Sequence, residues 1–110
     1  MSAPEESFWT QLPLGREVEL ITRDENGLAA FVKPAGVLSH PNEAKDEPRA
    51  LLTVPYTLDG EIYEWTDVTG VLRRLWLLNR LDSATSGVIL AAADKELADA
   101  IRAQFKRKQV

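Results

Sequence analysis

A chain of 110 residues, 45% of them hydrophobic, is long enough to form one domain with a modest core and does not have the composition of a disordered chain. It contains no Cys and a single His, which excludes disulfides, thiolate metal sites and histidine clusters, and we predict no metal site. The net charge of −4 argues weakly against nucleic-acid binding, and without a basic leader or a long apolar run the expectation is a cytoplasmic protein that does not cross a membrane.

The N-terminal segment is predicted to be a flexible tail, because residues 1–15 mix small, charged and proline side chains without a sustained period. Phe8 and Trp9 are the side chains expected to pin it. Residues 16–110 are expected to form one domain, since no linker, repeat or low-complexity segment interrupts them.

A β-hairpin is predicted at the start of this domain. Residues 18–22 alternate as a short strand does, and residues 28–32 form an apolar run of strand length. Asn26-Gly27 between them tolerates the positive φ angles of a tight turn. Lys33-Pro34-Ala35-Gly36 ends the second strand, because proline lacks the N–H that a strand ladder needs.

The middle of the chain is predicted to hold a surface segment and a second hairpin. Residues 41–48 are polar and bounded by prolines, which indicates a loop, and residues 49–57 are expected to be largely irregular because Pro55 stops a helical turn early. Residues 61–66 and 72–78 are predicted strands, and the Asp-Val-Thr-Gly run between them predicts a turn.

The last part of the chain is predicted to be a strand followed by an amphipathic helix. Residues 87–93 are small and apolar throughout, which is typical of a strand buried on both faces. Asp94 is the expected N-cap of a helix over residues 95–106. The apolar stripe of that helix, which we assign to the core, comprises Leu97, Ala98, Ile101 and Phe105. The predicted fold class is α+β, a mostly antiparallel sheet with an amphipathic C-terminal helix.

Several common catalytic arrangements are not supported by the sequence. The glycines are too scattered for a phosphate-binding loop or a dinucleotide fingerprint. Thr85-Ser86-Gly87 lacks the leading glycine of a nucleophile elbow. His40 is the only histidine, and we interpret it as a loop residue before Pro41 rather than as a member of a catalytic triad.

The run Arg80-Leu81-Asp82 is the most specific candidate for chemistry. In an extended stretch Leu81 would point one way as an anchor, while Arg80 and Asp82 would share the opposite face. A guanidinium beside Asp82 would favour the ionised carboxylate and orient it, which suits a nucleophile or an electrostatic stabiliser. The alternative is an Arg–Asp pair that ties down a turn, and spacing alone favours that structural interpretation.

Two longer motifs are more specific than any single residue. Residues 79–87 (Asn-Arg-Leu-Asp-Ser-Ala-Thr-Ser-Gly) resemble the signature of the RluA-type RNA pseudouridine synthases, in which Arg-Leu-Asp leads to Thr-Ser-Gly. Residues 32–36 (Val-Lys-Pro-Ala-Gly), followed by His40-Pro41, are similar to a second family run, Lys-Pro-x-Gly and then His-Pro. The strand and helix predicted after the signature agree with the order of elements in the family.

This resemblance implies that the protein isomerises uridine to pseudouridine in RNA, with Asp82 as the catalytic residue and no cofactor. Asp82 would attack the ribose anomeric carbon, abstract a ribose proton to give a glycal, or stabilise an oxocarbenium-like charge. Arg80, Ser83 and Thr85 are the expected substrate-binding residues. The target nucleotide would be flipped out of its stack, with Arg80 filling the space it leaves.

The match departs from the family at two positions: Asn79 stands where a histidine is common, and Ser83 where a basic residue is common. The family's base-stacking tyrosine and the basic partner of its aspartate come from later strands, so Tyr56 and Tyr63 cannot be given that role. Residues 16–110 are accordingly expected to be the N-terminal part of a pseudouridine synthase catalytic domain.

The charges are divided unevenly along the chain. Residues 1–67 carry five basic and thirteen acidic residues, a net charge of −8, whereas residues 68–110 carry eight and four, a net charge of +4. The basic part holds the signature and ends in Lys106, Arg107 and Lys108, which suggests that this half faces a ribosomal or transfer RNA. A solvated helix end is the alternative explanation for that last cluster.

Two other functions remain open. The chain would serve as a non-catalytic RNA-binding or interaction module if it uses the family scaffold without the chemistry. It would instead behave as a truncated fragment of the enzyme if its sheet edge is left exposed, and we would then expect it to oligomerise.

Overall fold

Six strands form a single antiparallel sheet in the computed structural model of the protein, which describes residues 6–108 and their side chains as far as residue 106. The elements in chain order are α1 (Glu6–Thr10), β1 (Glu19–Arg23), β2 (Leu28–Lys33), a 3-10 helix (Ala44–Arg49), β3 (Tyr56–Thr57), β4 (Ile62–Thr66), β5 (Leu72–Leu77), β6 (Gly87–Ala92) and α2 (Lys95–Lys108). The strand order across the sheet is β1-β2-β6-β5-β4-β3. The predicted α+β class, an antiparallel sheet with a C-terminal helix, is confirmed.

The two predicted hairpins are present, and an aspartate organises the turn of each. Asp24 accepts hydrogen bonds from the backbone N–H groups of Asn26 and Leu28, both at 2.9 Å, and Gly27 takes a φ of +101° that favours glycine. Asp67 accepts bonds from Thr69 and Val71 in the same way in the turn between β4 and β5. Each turn therefore closes through a local side-chain-to-backbone bond, which is why its composition predicts it.

The main core lies on one face of the sheet. Alternate residues of the central strands are fully buried there, among them Phe31 of β2, Leu75 and Leu77 of β5 and Ile89 of β6. The long segment after β2 covers this face, and its Leu51 and Leu52 are also fully buried. This segment crosses the sheet between β2 and β3, so its backbone runs next to the strand ends that carry the two motifs.

Helix α2 packs on the opposite face over a smaller cluster. Ala98 is fully buried against Ala92 and Leu78, and Leu97 and Ile101 pack against the same cluster. Asp94 Oδ2 accepts a hydrogen bond of 2.9 Å from Leu97 N–H, which confirms the predicted N-cap. No helix within residues 6–108 is both long enough and apolar enough to cross a membrane.

The N-terminal segment packs on the main core where the structure describes it. Phe8 and Trp9 are buried in α1, as expected for side chains that pin this segment, and Leu12 is buried after them. Arg23 lies 5.7 Å from the centre of the Trp9 ring and also pairs with Glu6. Residues 6–15 are thus more firmly held than a flexible tail requires, and residues 1–5 lie outside the described residues. The domain boundary at residue 15 stays a prediction.

Local predictions differ from the structure in three places, and two of them were wrong. Residues 49–57 are largely irregular as expected, apart from Arg49 at the end of the 3-10 helix and the two-residue strand β3, which pairs with β4 through Tyr56 and Tyr63 and is too short to leave a periodic signal. Val88 of β6 is 49% exposed rather than buried, because α2 covers only the end of the strand near Ala92. Phe105 is 38% exposed and not in the core, because the packed stripe of α2 ends at Ile101.

The edges of the sheet are β1 and β3. The pairing of β1 with β2 is interrupted by a bulge between Leu20 and Thr22, and the strand begins and ends with the charged residues Glu19 and Arg23. Bulges and charges of this kind discourage pairing with another chain. Oligomerisation through the sheet stays a prediction that the fold does not support.

Candidate active site

The topology of the sheet brings the two sequence motifs together. β2 and β6 are antiparallel neighbours, and Lys33 at the end of β2 pairs with Gly87 at the start of β6. The Lys-Pro-Ala-Gly run leaves the sheet at the point where the Arg-Leu-Asp segment enters it. Residues distant in sequence therefore form one wall of a site.

The residues on both sides of Asp82 are anchored to the first motif. Before Asp82, the Ser39 hydroxyl donates to Leu81 C=O at 2.7 Å and accepts from Leu81 N–H at 2.8 Å. After Asp82, Ser83 C=O accepts from Gly36 N–H at 2.6 Å and from Lys33 Nζ at 3.3 Å. These contacts fix the backbone around Asp82 although residues 79–82 belong to no strand.

Asn79 and Leu81 hold the segment from the sheet side. Asn79 Oδ1 accepts from Leu90 N–H at 2.6 Å, and its Nδ2 donates to Val88 C=O at 3.2 Å, so the side chain stands in for a strand partner of β6. Leu81 packs against the main core. Leu81 acts as the predicted anchor, while Arg80 and Asp82 are exposed.

Lys33 is fully buried beneath this segment. Its ammonium donates to three carbonyl oxygens, those of Val37 at 2.6 Å, Pro34 at 3.2 Å and Ser83 at 3.3 Å. Burial lowers the pKa of Lys33, and the negative charge of Asp82 opposes that shift. The lysine of the first motif therefore ties the two motifs together and places a positive charge near Asp82.

An open cleft of about 750 Å³ lies in front of Asp82. Arg80 and Ser83, which the sequence predicted as substrate-binding residues, line it together with Asp82, whereas Thr85 does not. Thr85 instead donates its N–H to Asp82 C=O at 2.9 Å in the following turn. The remaining lining residues are Leu38, Ser39, His40, Asn42, Glu61, Leu78, Asn79, Leu81 and Phe105.

The predicted pairing of Arg80 with Asp82 is wrong. Arg80 Nε lies 3.2 Å from Glu61 Oε1, at the turn before β4, and this is the ion pair that Arg80 makes within the described residues. Glu61 itself is fixed by its backbone, whose carbonyl accepts from Leu77 N–H at 3.0 Å. The long arginine side chain reaches a carboxylate from another part of the fold, which spacing within its own segment could not reveal.

His40, which lines the cleft, belongs to an aromatic stack behind it. His40 lies parallel to Tyr56, with ring centres 4.4 Å apart, and Tyr56 meets Tyr63 edge to face at 4.8 Å. The Tyr63 hydroxyl donates to Ser39 C=O at 2.7 Å, and Tyr63 is fully buried. Burial, and secondarily the charge of Glu61, raises the pKa of Tyr56 to about 12. His40 is thus held by packing, which its interpretation as a simple loop residue did not anticipate.

Most cations near the signature already have partners. Arg73 pairs with Asp67 at 2.8 Å and Arg74 with Glu64 at 2.6 Å, while Arg102 donates to Leu77 C=O at 2.6 Å. Three cations of this half, Arg73, Arg74 and Arg80, therefore pair with carboxylates of the acidic half. In the final basic cluster Lys106 is exposed. The side chains of the two residues after it lie outside the described residues.

Sequence reasoning found Asp82 and Arg80 but missed Ser39, Tyr63 and Glu61. No local sequence pattern predicts that Ser39 and Tyr63 support the Asp82 segment, because they are connected to it only by contacts between distant parts of the chain. Among residues 6–106, no three side chains of the types His, Cys, Asp and Glu are grouped to hold a metal ion.

Comparison with known proteins adds one match to this geometry. Residues 27–110, which include both motifs and every residue named in the cleft, match the family model described as RNA pseudouridylate synthase. Neither the curated proteins nor the solved structures contain a match to the chain.

Proposed function

Because the chain belongs to the RNA pseudouridylate synthase family, we propose that it isomerises uridine to pseudouridine in a structured ribosomal or transfer RNA, with Asp82 as the catalytic carboxylate. The order and content of the two motifs further support the RluA type within that family. A cytoplasmic location is part of the same proposal.

The observation that carries this proposal is the setting of Asp82. The side chain is exposed at the cleft, while its two neighbours in sequence are fixed by hydrogen bonds from the first motif. A reactive group held by a rigid backbone needs little reorganisation when substrate arrives, which is how positioning lowers a reaction barrier. A carboxylate that only stabilised a turn would be expected to bond to that turn.

The proposed reaction breaks the bond between uracil N1 and the ribose anomeric carbon, rotates the uracil and joins its C5 to that carbon. C5 then loses its proton to water, and N1 takes one up. No electrons are gained or lost, so the proposal needs no redox cofactor. Attack on the anomeric carbon, abstraction of a ribose proton and stabilisation of an oxocarbenium-like charge all require an Asp82 oxygen next to the ribose. The cleft leaves room for a flipped nucleotide at that position.

Arg80 is proposed to release Glu61 and to bind the RNA instead. Both side chains are partly exposed, so their ion pair contributes little stability and can be replaced by a phosphate or by stacking against a base. Ser83 is proposed to contact the flipped nucleotide. Thr85 lies outside the cleft lining, and we assign its contact to RNA next to that nucleotide.

The test uses an RNA whose uridines carry tritium at C5, because forming the new bond at C5 releases that hydrogen to water. We expect release with the full-length wild-type protein and a decrease of roughly 1,000-fold or more when it carries Asp82→Asn, since the variant loses the reacting group. Asp99→Asn is the matched control, an exposed aspartate on α2 that pairs with Lys95.

Equal tritium release by the wild type and Asp82→Asn would refute the proposed role of Asp82. Binding of the same RNA by the wild type without any release would instead favour the non-catalytic RNA-binding module. Gel-shift titration of each variant separates these results from a simple loss of RNA binding.

A further inference from the structure

One serine hydroxyl fixes the peptide groups that lead into Asp82. Ser39 Oγ donates to Leu81 C=O at 2.7 Å and accepts from Leu81 N–H at 2.8 Å, so a single atom binds both polar groups of the residue before Asp82. Both distances are those of well-formed hydrogen bonds. A reciprocal contact of this kind restricts rotation about the Leu81 backbone more than either bond would alone.

Asp82 depends on this restraint because its own carboxylate is unsupported. Within residues 6–106 no donor forms a hydrogen bond or ion pair with the two carboxylate oxygens of Asp82, and Lys33 acts on them only through its charge. The direction of the carboxylate must then follow from the position of its backbone. On one side that position is set by Leu81 and Ser39, and on the other by Ser83.

Ser39 is itself held in place from the core. The hydroxyl of Tyr63, a fully buried residue of β4, donates to Ser39 C=O at 2.7 Å. Ser39 is 5% exposed, and both hydrogen bonds of its hydroxyl go to Leu81. Ser39 lies at the cleft, but its single hydroxyl proton is already donated to Leu81, so we expect its effect on the reaction to pass through Leu81.

We propose that Ser39 is a positioning residue, which aims the Asp82 carboxylate at the ribose by clamping Leu81, with Tyr63 supporting the clamp. This inference rests on the proposed function of the cleft. It assigns a role in the reaction to a hydroxyl outside the Arg-Leu-Asp signature. The clamp acts on the chemical step rather than on RNA binding, because neither Ser39 nor Tyr63 is an exposed side chain.

The predicted signature of this role is a change in kcat without a change in KM. In Ser39→Ala the backbone at Leu81 loses both bonds, and a displacement of about 1 Å at a reacting group lowers the rate roughly 100-fold. KM for the RNA should stay within about twofold, because Ser39 is only 5% exposed at the cleft and the other lining residues are kept. Ser39→Thr retains the hydroxyl and should restore most of kcat.

The experiment measures kcat and KM by tritium release for wild type, Ser39→Ala, Ser39→Thr and Tyr63→Phe, and amide hydrogen exchange at Leu81 for each. We expect faster Leu81 exchange and lower kcat in Ser39→Ala, recovery of both in Ser39→Thr, and a smaller decrease in Tyr63→Phe, which keeps the ring and the serine. Thr53→Ala is the control, since its hydroxyl donates to Pro13 C=O at 3.3 Å away from the cleft.

The outcomes separate this inference from the proposed function. A full-length wild-type protein that releases no tritium would overturn the function. An active wild type with Ser39→Ala and Tyr63→Phe both folded and unchanged in kcat would overturn the positioning role alone. Equal losses of kcat in the alanine and threonine variants would also overturn it, because the hydroxyl would then not be the group that matters.

Discussion

Replacing Lys33 by Met tests whether the buried ammonium holds the two motifs together. Met is unbranched and fills most of the same space, so the change removes the donor with little loss of packing. It leaves the carbonyl oxygens of Val37, Pro34 and Ser83 without the Lys33 partner that each has now. We expect the folded state to be destabilised and the Asp82 segment to loosen first.

The magnitude follows from two opposing contributions. Hydrogen bonds from a charged donor contribute roughly 1.5–3 kcal/mol each, and the Val37 contact at 2.6 Å should contribute most. Against this, removing a buried charge relieves a desolvation cost of several kcal/mol. Because the ammonium is well supplied with acceptors, we expect a net loss of about 2–4 kcal/mol in the free energy of unfolding. At about 4 °C per kcal/mol the melting temperature would fall by about 8–16 °C.

Urea unfolding followed by circular dichroism measures this change. Lys95→Met is the matched control, because the Lys95 side chain is 71% exposed and pairs with Asp99 on the surface of α2. We expect that control to lose less than about 0.5 kcal/mol. If Lys33→Met were as stable as the wild type, the desolvation cost of the ammonium would cancel the free energy of its hydrogen bonds. Lys33 would then not stabilise the contact between the two motifs.

Three further changes test other contacts. Gly15→Ala would place a methyl group 2.0 Å from Ala50 C=O, so we expect a loss of about 3 kcal/mol or more in urea unfolding, and unchanged stability would contradict the packing of the N-terminal segment. The Thr69 hydroxyl lowers the pKa of Asp67, so the ionised carboxylate stabilises the fold fully above the ordinary carboxyl pKa of about 4 and less as pH falls below it. In Asp67→Asn the melting temperature should therefore decrease less between pH 7 and pH 3 than it does in the wild type. An equal decrease in both proteins would refute this. Tyr56→Phe removes a buried hydroxyl without a partner in the described residues and should raise stability by about 1 kcal/mol in urea unfolding, whereas a loss would mean that the hydroxyl is bonded in solution.

Features set by neighbours along the chain were predictable from the sequence. The Asp24 and Asp67 turns close on their own backbone, and the α2 stripe follows helical spacing as far as Ile101. Each of these signals is local, so composition and period are enough to reveal it.

Features set by tertiary neighbours were not predictable in this way. Phe105 continues the α2 stripe, but where it lies depends on what packs beyond Ile101. Arg80 is two residues from Asp82 and nevertheless pairs with Glu61, because the fold brings a distant turn within reach of a long side chain. Ser39 is a loop serine with no pattern around it, and only the pairing of β2 with β6 places it beside Leu81.

The candidate site was partly predictable, through resemblance rather than through physical reasoning. Spacing alone favoured a structural Arg–Asp pair, and that pair is not what the structure contains. The resemblance pointed to Asp82, and the fold supplied the cleft and the anchors around it. Its role in catalysis stays a prediction until Asp82→Asn is measured.

The anchoring of Asp82 from outside its own segment limits how the site can be engineered. A graft of residues 79–87 into an unrelated hairpin would carry the Arg-Leu-Asp signature without the donors that Lys33, Gly36 and Ser39 supply from outside it. The smallest transplantable piece is therefore β2 with the loop that follows it, together with the signature and β6. Designs that transfer the signature alone should bind and react no better than a random loop of the same charge.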